Sequence, residues 1–444
     1  MKIKSEKLDT LREEIMGRIE KYSQEFEKVS VRKNVPVSGK KIGKEEFKAA
    51  VNAILDGHWT DGPYTKRFER MLRDYVGVTY ANFVNSGSSA NLLALTALLS
   101  PKMGKRQIKK GDEVITTACS FPTTVNPIIQ NSLVPVFCDM DLGTYGINID
   151  DLKNTITEKS RAVFIAHTLG NPFNIKAVKE ICDQYNLFLI EDCCDALGSS
   201  YDGRMVGTYG DMATYSFYPA HHITSIEGGA ILTNDATLNT VIVSLRDWGR
   251  DCYCLTGKDN TCGKRFDHQK GNLPRGYDHK YIYSELGYNL KATDINAAIG
   301  IEQLKKIESF HQRRERNFNR LYDGLKDLED IFILPESQKN AKPSWFGFIL
   351  TLKNNCTFTR RELLKFLDEK GIASRLIFAG NITKQPYFID YGIQYRQVSD
   401  LVNTDIIMNN TFWIGINQLL DDANIDYVIE SIKEFCHVSS ETKV

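Results

Sequence analysis

AVFIAHTLGNPFNIKAVKEICDQYNLFLIED, residues 162–192, decides how the chain is organised. An apolar run at 162–165 enters a polar turn. A helical pattern follows at 175–185, then a second apolar run at 187–190 that stops on Glu191-Asp192. Two short runs rich in β-branched and aromatic residues, separated by a segment of helical periodicity, spell a βαβ unit. The alternation extends both ways. Upstream, 80–84 precedes a helix at 89–99, 113–116 precedes one at 123–131, and 134–138 precedes one at 149–155. Downstream, strands are expected at 212–217 and 230–233. Runs that are apolar throughout suit strands covered on both faces. The expected fold is therefore α/β, with a mostly parallel seven-stranded sheet in a large domain.

The flanking regions read differently. Residues 1–34 form a charged N-terminal helical extension with a thin apolar stripe of Leu8, Leu11, Ile15 and Ile19. Helices are expected at 44–56 and 63–76, around a loop at 57–63. Periodicity stops between 248 and 280, and a polar loop of that length inside a compact protein is usually functional or disordered. Helical pattern resumes from 293 to 326. A smaller α+β C-terminal domain follows, with strands at 345–352 and 373–377 and helices at 359–370 and 423–436. The expected division is 1–34, 35–310 with the loop 248–280, and 311–444.

Composition excludes several classes. The 444 residues carry 56 Lys plus Arg against 56 Asp plus Glu, so no net charge steers the chain to nucleic acid. No apolar run approaches the 18 or so residues that cross a bilayer. The charged start is not a signal sequence, so a cytoplasmic location is expected. There, the ten cysteines are expected to stay reduced.

Ser86-Gly87-Ser88-Ser89-Ala90 lies between a strand and a helix, where close backbone approach and a helix N-terminus suit a phosphate. The same residues also make an ordinary helix cap. Asp192 closes an apolar strand, so it either points into the crevice of the parallel sheet or caps the next turn. The stretch Ser216-Phe217-Tyr218-Pro219-Ala220-His221-His222-Ile223-Thr224-Ser225-Ile226-Glu227-Gly228-Gly229 follows a strand. An imidazole there can move a proton near neutral pH.

With Ser120-Phe121-Pro122-Thr123-Thr124 and Gly287-Tyr288-Asn289-Leu290, these segments resemble, in order and spacing, the nucleotide-sugar aminotransferase/dehydrase family of fold-type I pyridoxal phosphate (PLP) enzymes. The resemblance covers nearly the whole chain from about residue 35. It implies Gly87, Ser88 and Ser216 at the cofactor phosphate, Phe121 stacked on the ring and Asp192 at the pyridine nitrogen. It also implies Asn289 reaching the phosphate of a neighbouring subunit, hence a homodimer. The family's aminotransferases carry a lysine where this chain has His221, and that lysine holds the cofactor covalently. The histidine implies an unanchored cofactor, pyridoxamine phosphate (PMP), with His221 as the catalytic proton-transfer residue. His222 is expected to be structural. Ile226 stands where the family usually has glycine, so the backbone before Glu227 is expected to differ.

Cys194, Cys252, Cys254 and Cys262 are spaced C-x57-C-x-C-x7-C. Three lie in the polar loop and one lies two residues past Asp192. Converging thiolates suggest a metal, either zinc or a [2Fe–2S] cluster, although C-x-C is tight for a zinc ribbon. Cysteines can also be buried for packing alone. Together with His221, this spacing resembles the PMP-dependent 3-dehydrases of the family. Shared stretches at 165–171, 247–254, 276–281 and 378–381 support that branch. The resemblance implies dehydration at C3 of a CDP-4-keto-6-deoxyhexose, then two-electron reduction, one electron at a time, through a [2Fe–2S] cluster on the four cysteines. The electrons would come from a separate NADH-dependent flavin iron–sulfur reductase, since no nicotinamide fingerprint is present. Lys258, Lys264, Arg265, Lys270, Arg275 and Lys280 either form a solvated face, bind the diphosphate or dock the reductase. Rival readings are a PLP-dependent nucleotide-sugar aminotransferase, a cluster-free PMP 3-dehydratase drawing on glutamate, and a silent regulator with zinc on the cysteines.

Overall fold

The computed structural model describes residues 6–29, 34–254 and 258–441. The strand–helix alternation folds as β1 (Tyr80–Val84), α1 (Gly87–Ala97), β2 (Glu113–Thr117), α2 (Pro122–Gln130), β3 (Val134–Cys138), α3 (Ile149–Thr155), β4 (Ser160–Ala166), α4 (Ile175–Gln184) and β5 (Phe188–Asp192). Next come β6 (Met212–Ser216), β7 (Gly229–Thr233) and α5 (Ala236–Arg246). The spatial order is β1-β7-β6-β5-β4-β2-β3. Only β7 runs antiparallel to its neighbours. The central strands are buried along their length, as a sheet covered on both faces requires.

The sheet has eight strands, not the expected seven. Arg396–Gln397 pairs in parallel with β3 beyond the edge. Two residues carry no periodicity to read. What places them is tertiary: Arg396 Nε and Nη2 donate to the two Glu113 carboxylate oxygens at 3.0 and 2.7 Å.

A second, antiparallel sheet consists of β8 (Phe332–Ile333), β9 (Gly347–Leu352), β10 (Ser374–Arg375) and β11 (Thr411–Gly415), in the order β8-β9-β11-β10. Helix α6 (Ile307–Leu325) joins the two units. Its Phe310 packs into the core around β6 and β7, while Phe318, Leu321 and Leu325 pack with Trp345, Phe348 and Phe412. The N-terminal helix Glu6–Val29 lies on the helix Lys44–Asp56, tied by Arg12–Asp56 and Lys48–Glu20 at 2.8 Å each. No helix among the described residues is long and apolar enough to cross a membrane.

Candidate active site

Parallel strands carry their C-terminal ends to one edge, and that edge is where this fold binds ligands. Here the segments following β1, β2, β4, β5 and β6 wall a cavity of about 340 Å³. The small unit closes it with Phe346, Arg375, Leu376, Phe378 and Trp413. Gly87, Ser88, Phe121, Asp192, Cys194, Ser216 and His221 all line this one space. Residues scattered from position 87 to position 221 of the sequence are thus brought together.

α1 begins at Gly87, and Ser86 caps it by accepting from the Ser89 N–H at 3.1 Å. A Cβ at position 87 would stand 2.5 Å from Ser216 Cβ and 3.2 Å from Cys194 Sγ. Only glycine lets the helix start press against the end of β6. The first amides of a helix lack intrahelical partners, so Gly87 and Ser88 together with the Ser216 hydroxyl make a cradle of donors suited to phosphate.

Asp192 ends β5 between Ala166 of β4 and Thr214 of β6. Its Oδ2 accepts from Asn91 Nδ2 at 3.0 Å and Thr124 Oγ1 at 2.8 Å, and its Oδ1 accepts from the Cys194 N–H at 3.1 Å. Three donors fix a buried carboxylate in the cavity wall, where a protonated ring nitrogen would complete its charge. Asn91 and Thr124 were not singled out from sequence, although Thr124 lies in a quoted motif. Phe121 is half exposed at the cavity rim, edge-on to Phe378 with centroids 6.2 Å apart. These residues fit a pyridoxamine phosphate.

His221 follows β6, with its Nδ1 3.2 Å from Asp195 Oδ1. His222 is fully buried and turned away, with Nε2 2.8 Å from the Ser344 carbonyl oxygen. Burial, then the nearby Arg314 and His311, push its imidazole well below the ordinary range. Ile226, expected to alter the backbone, instead takes φ +69°, the left-handed conformation that glycine adopts without strain. Glu227 is exposed and outside the cavity. Leu169 and Phe378, both in the cavity wall, also have positive φ, at +45° and +43°. Strain of this kind gathers at functional sites.

Asn289 does not reach this cavity. It is exposed, bridges Asp247 through the backbone, and its side-chain oxygen accepts from Lys291 at 2.8 Å.

The four cysteines divide. Cys252, Cys254 and Cys262 gather around a separate small pocket with Arg265, His279 and Lys280. Cys194 faces the main cavity. A thiol must ionise to bind a metal. Burial, then Asp192 and Asp195, push the Cys194 thiol well above its ordinary range, whereas hydrogen bonding from Thr261 lowers Cys254. As arranged here, Cys252, Cys254 and Cys262 line one pocket and Cys194 another, so the four thiols do not form one four-thiolate centre. Two histidines passed over in the sequence stand at the loop site: ligand atoms of Cys262, His268 and His279 lie within 4.8 Å of one another. The only hint of them was the quoted stretch 276–281. The loop is folded by charge. Arg265 grips Asp278 at 3.0 and 2.6 Å, and Asp251 binds Lys270 at 2.6 Å and His279 at 2.8 Å. Lys280 pairs with Asp259. These three cations of the loop are thus engaged internally.

Residues 40–433 match the model of the DegT/DnrJ/EryC1/StrS aminotransferase family. The chain is 54% identical to the lipopolysaccharide biosynthesis protein RfbH of Salmonella typhimurium, over 96% of this chain and 98% of that one. It is 48% identical to a dTDP-4-dehydro-2,6-dideoxy-D-glucose 3-dehydratase of Saccharopolyspora spinosa, over 98% and 94%. A solved E. coli GDP-4-keto-6-deoxy-D-mannose-3-dehydratase with bound hydrated PLP superposes with a TM-score of 0.81 at 30% identity, covering 90% of this chain and 99% of that one. With its fold-type I architecture and its cavity at the sheet edge, the chain belongs to the DegT/DnrJ/EryC1/StrS family of nucleotide-sugar enzymes.

Proposed function

We propose that the protein is a PMP-dependent 3-dehydratase of a nucleotide-linked 4-keto-6-deoxyhexose, with CDP as the nucleotide. The observation that carries this reading is the cavity wall itself: His221 stands in it, and among the described residues lining it none is a lysine. Without an anchoring amine there, the cofactor keeps its own amino group, which favours removal of oxygen over transfer of nitrogen. Relatives bearing the name 3-dehydratase, for dTDP- and GDP-linked sugars, support the reaction class. CDP rests on the resemblance of the sequence motifs.

Each residue has a task in this reading. Gly87, Ser88 and Ser216 hold the phosphate, Phe121 covers the ring, and Asp192, locked by Asn91 and Thr124, keeps the pyridine nitrogen protonated. The bound cofactor supplies an electron sink. His221 takes the proton from its C4′ carbon and can return it at the departing C3 oxygen. The cavity is lined chiefly by apolar groups, which limits water around that exchange. Asn289, exposed and away from its own cavity, serves a second copy of the chain in a homodimer.

The redox part of the proposal rests on the cysteine spacing, with electrons from an NADH-dependent flavin iron–sulfur reductase. The three gathered loop thiols support a metal centre there. Cys194 lies in the other pocket, apart from these three thiols. The test is an anaerobic preparation supplied with PMP and CDP-, dTDP- or GDP-4-keto-6-deoxyhexose. C3 deoxygenation with the CDP sugar, lost in His221→Asn with PMP binding retained, is expected. Transfer of an amino group from glutamate to the sugar would overturn the reading. Iron and sulfide content decides the cluster separately.

A further inference from the structure

We infer that Asp195 is the positioning residue for His221: it holds imidazole Nδ1 so that Nε2 is presented to the cavity. The inference rests on reading His221 as the proton-transfer residue. Asp195 follows β5 and His221 follows β6, so the pairing of two neighbouring parallel strands delivers both. Their side chains are 11% and 16% exposed, and Oδ1 and Nδ1 are 3.2 Å apart, in contact although not aligned as a hydrogen bond. Phe346 packs on the imidazole with centroids 5.4 Å apart, which limits where the ring can swing. A carboxylate beside Nδ1 selects the tautomer that carries its proton there and leaves Nε2 basic.

Arg314 lies on the same Phe346 ring, its guanidinium carbon 5.7 Å from the centroid. It is 1% exposed, donates to the Phe346 carbonyl at 3.1 Å, and has no carboxylate within 4.0 Å among the described residues. Burial draws its guanidinium down to about 10, and Asp195 is the charge that opposes this. Two more imidazoles border the site and are held neutral. Burial and Arg314 hold His311 at about 4, and burial with the same neighbours depresses His222. The charged groups that line the cavity with His221 are Asp192, Asp195 and Arg375.

The test uses the PMP-loaded enzyme with the CDP-4-keto-6-deoxyhexose, following solvent hydrogen exchange at C4′ against pH. Asp195→Asn is expected to bind PMP as the wild type does and to exchange at least about tenfold more slowly. Asp195→Glu, which keeps a carboxylate at this position, is expected to recover most of the rate. A purely structural Asp195 would move the melting temperature and leave the exchange rate in place. If Asp195→Asn folds poorly, nitrogen-15 NMR of wild-type His221 answers the same question: a proton on Nδ1 is expected, and a proton on Nε2 overturns the inference. An unchanged exchange rate in Asp195→Asn also overturns it. Survival of exchange in His221→Asn would instead sink the proton-transfer assignment itself.

Discussion

Gly87→Ala tests the phosphate cradle, because two effects of opposite sign compete there and the geometry decides between them. In an ordinary helix position, replacing glycine by alanine stabilises by about 0.4–1 kcal/mol, through the smaller entropy of the unfolded chain. At residue 87 the added methyl would lie 2.5 Å from Ser216 Cβ and 2.9 Å from Ser216 Oγ. Carbon atoms rest at about 3.5–4.0 Å, so the start of α1 and the end of β6 must part by about 1 Å. β6 is buried along its whole length and has nowhere to retreat. Overpacking of this kind costs about 1–3 kcal/mol, which outweighs the entropic gain and leaves a net loss of about 1–2 kcal/mol. The displaced amides also lose their aim at the phosphate. Misaligning one hydrogen bond to a charged group costs about 1.5–3 kcal/mol, or about 10- to 100-fold in PMP affinity. Thermal unfolding without cofactor reads the first number, and fluorescence titration with PMP reads the second. A Gly87→Ala protein with a raised melting temperature and unchanged PMP affinity would refute both the close approach and the cradle.

Two further outcomes are expected. Ile226→Gly should stabilise by about 0.5–1 kcal/mol in a denaturant melt, since a β-branched residue at φ +69° carries about 1–3 kcal/mol of strain, partly offset by the entropy of glycine; a loss of stability would contradict this. Glu113→Gln should destabilise by about 1–3 kcal/mol at pH 7 by breaking the Arg396 fork. Burial raises the Glu113 carboxyl, but hydrogen bonds from Arg396, Thr157 and Ser160 outweigh it and hold the group below its ordinary value. A depressed carboxyl contributes stability above its unfolded value and loses it as pH falls through the folded one. The gap between wild type and Glu113→Gln should therefore close below about pH 4, and a gap that persists in strong acid would show that the fork is not its source.

The strands from β1 to β7 were legible because buried parallel strands are apolar at every position and the helices between them keep a 3.6-residue period. Local grammar of that kind also exposed the helix cap at Ser86 and the carboxylate at the end of β5. It had no means of reporting Arg396–Gln397, whose place depends on a charge 283 residues away in the chain. Asn91 and Thr124 look like any polar helix residues until the fold turns both toward Asp192.

Residue type alone thus determined the α/β architecture and the identity of the groups able to bind a phosphate or move a proton, and the resemblance to the family marked His221 as standing where its aminotransferases carry lysine. Tertiary structure decided which of those groups meet. It gathered Gly87, Phe121, Asp192, Ser216 and His221 around one cavity, set Asp195 against the imidazole, and placed Cys194 apart from the three loop thiols. The reason is that chemistry resides in the side chain, whereas proximity depends on strand order, and strand order is settled by how whole faces are buried against one another.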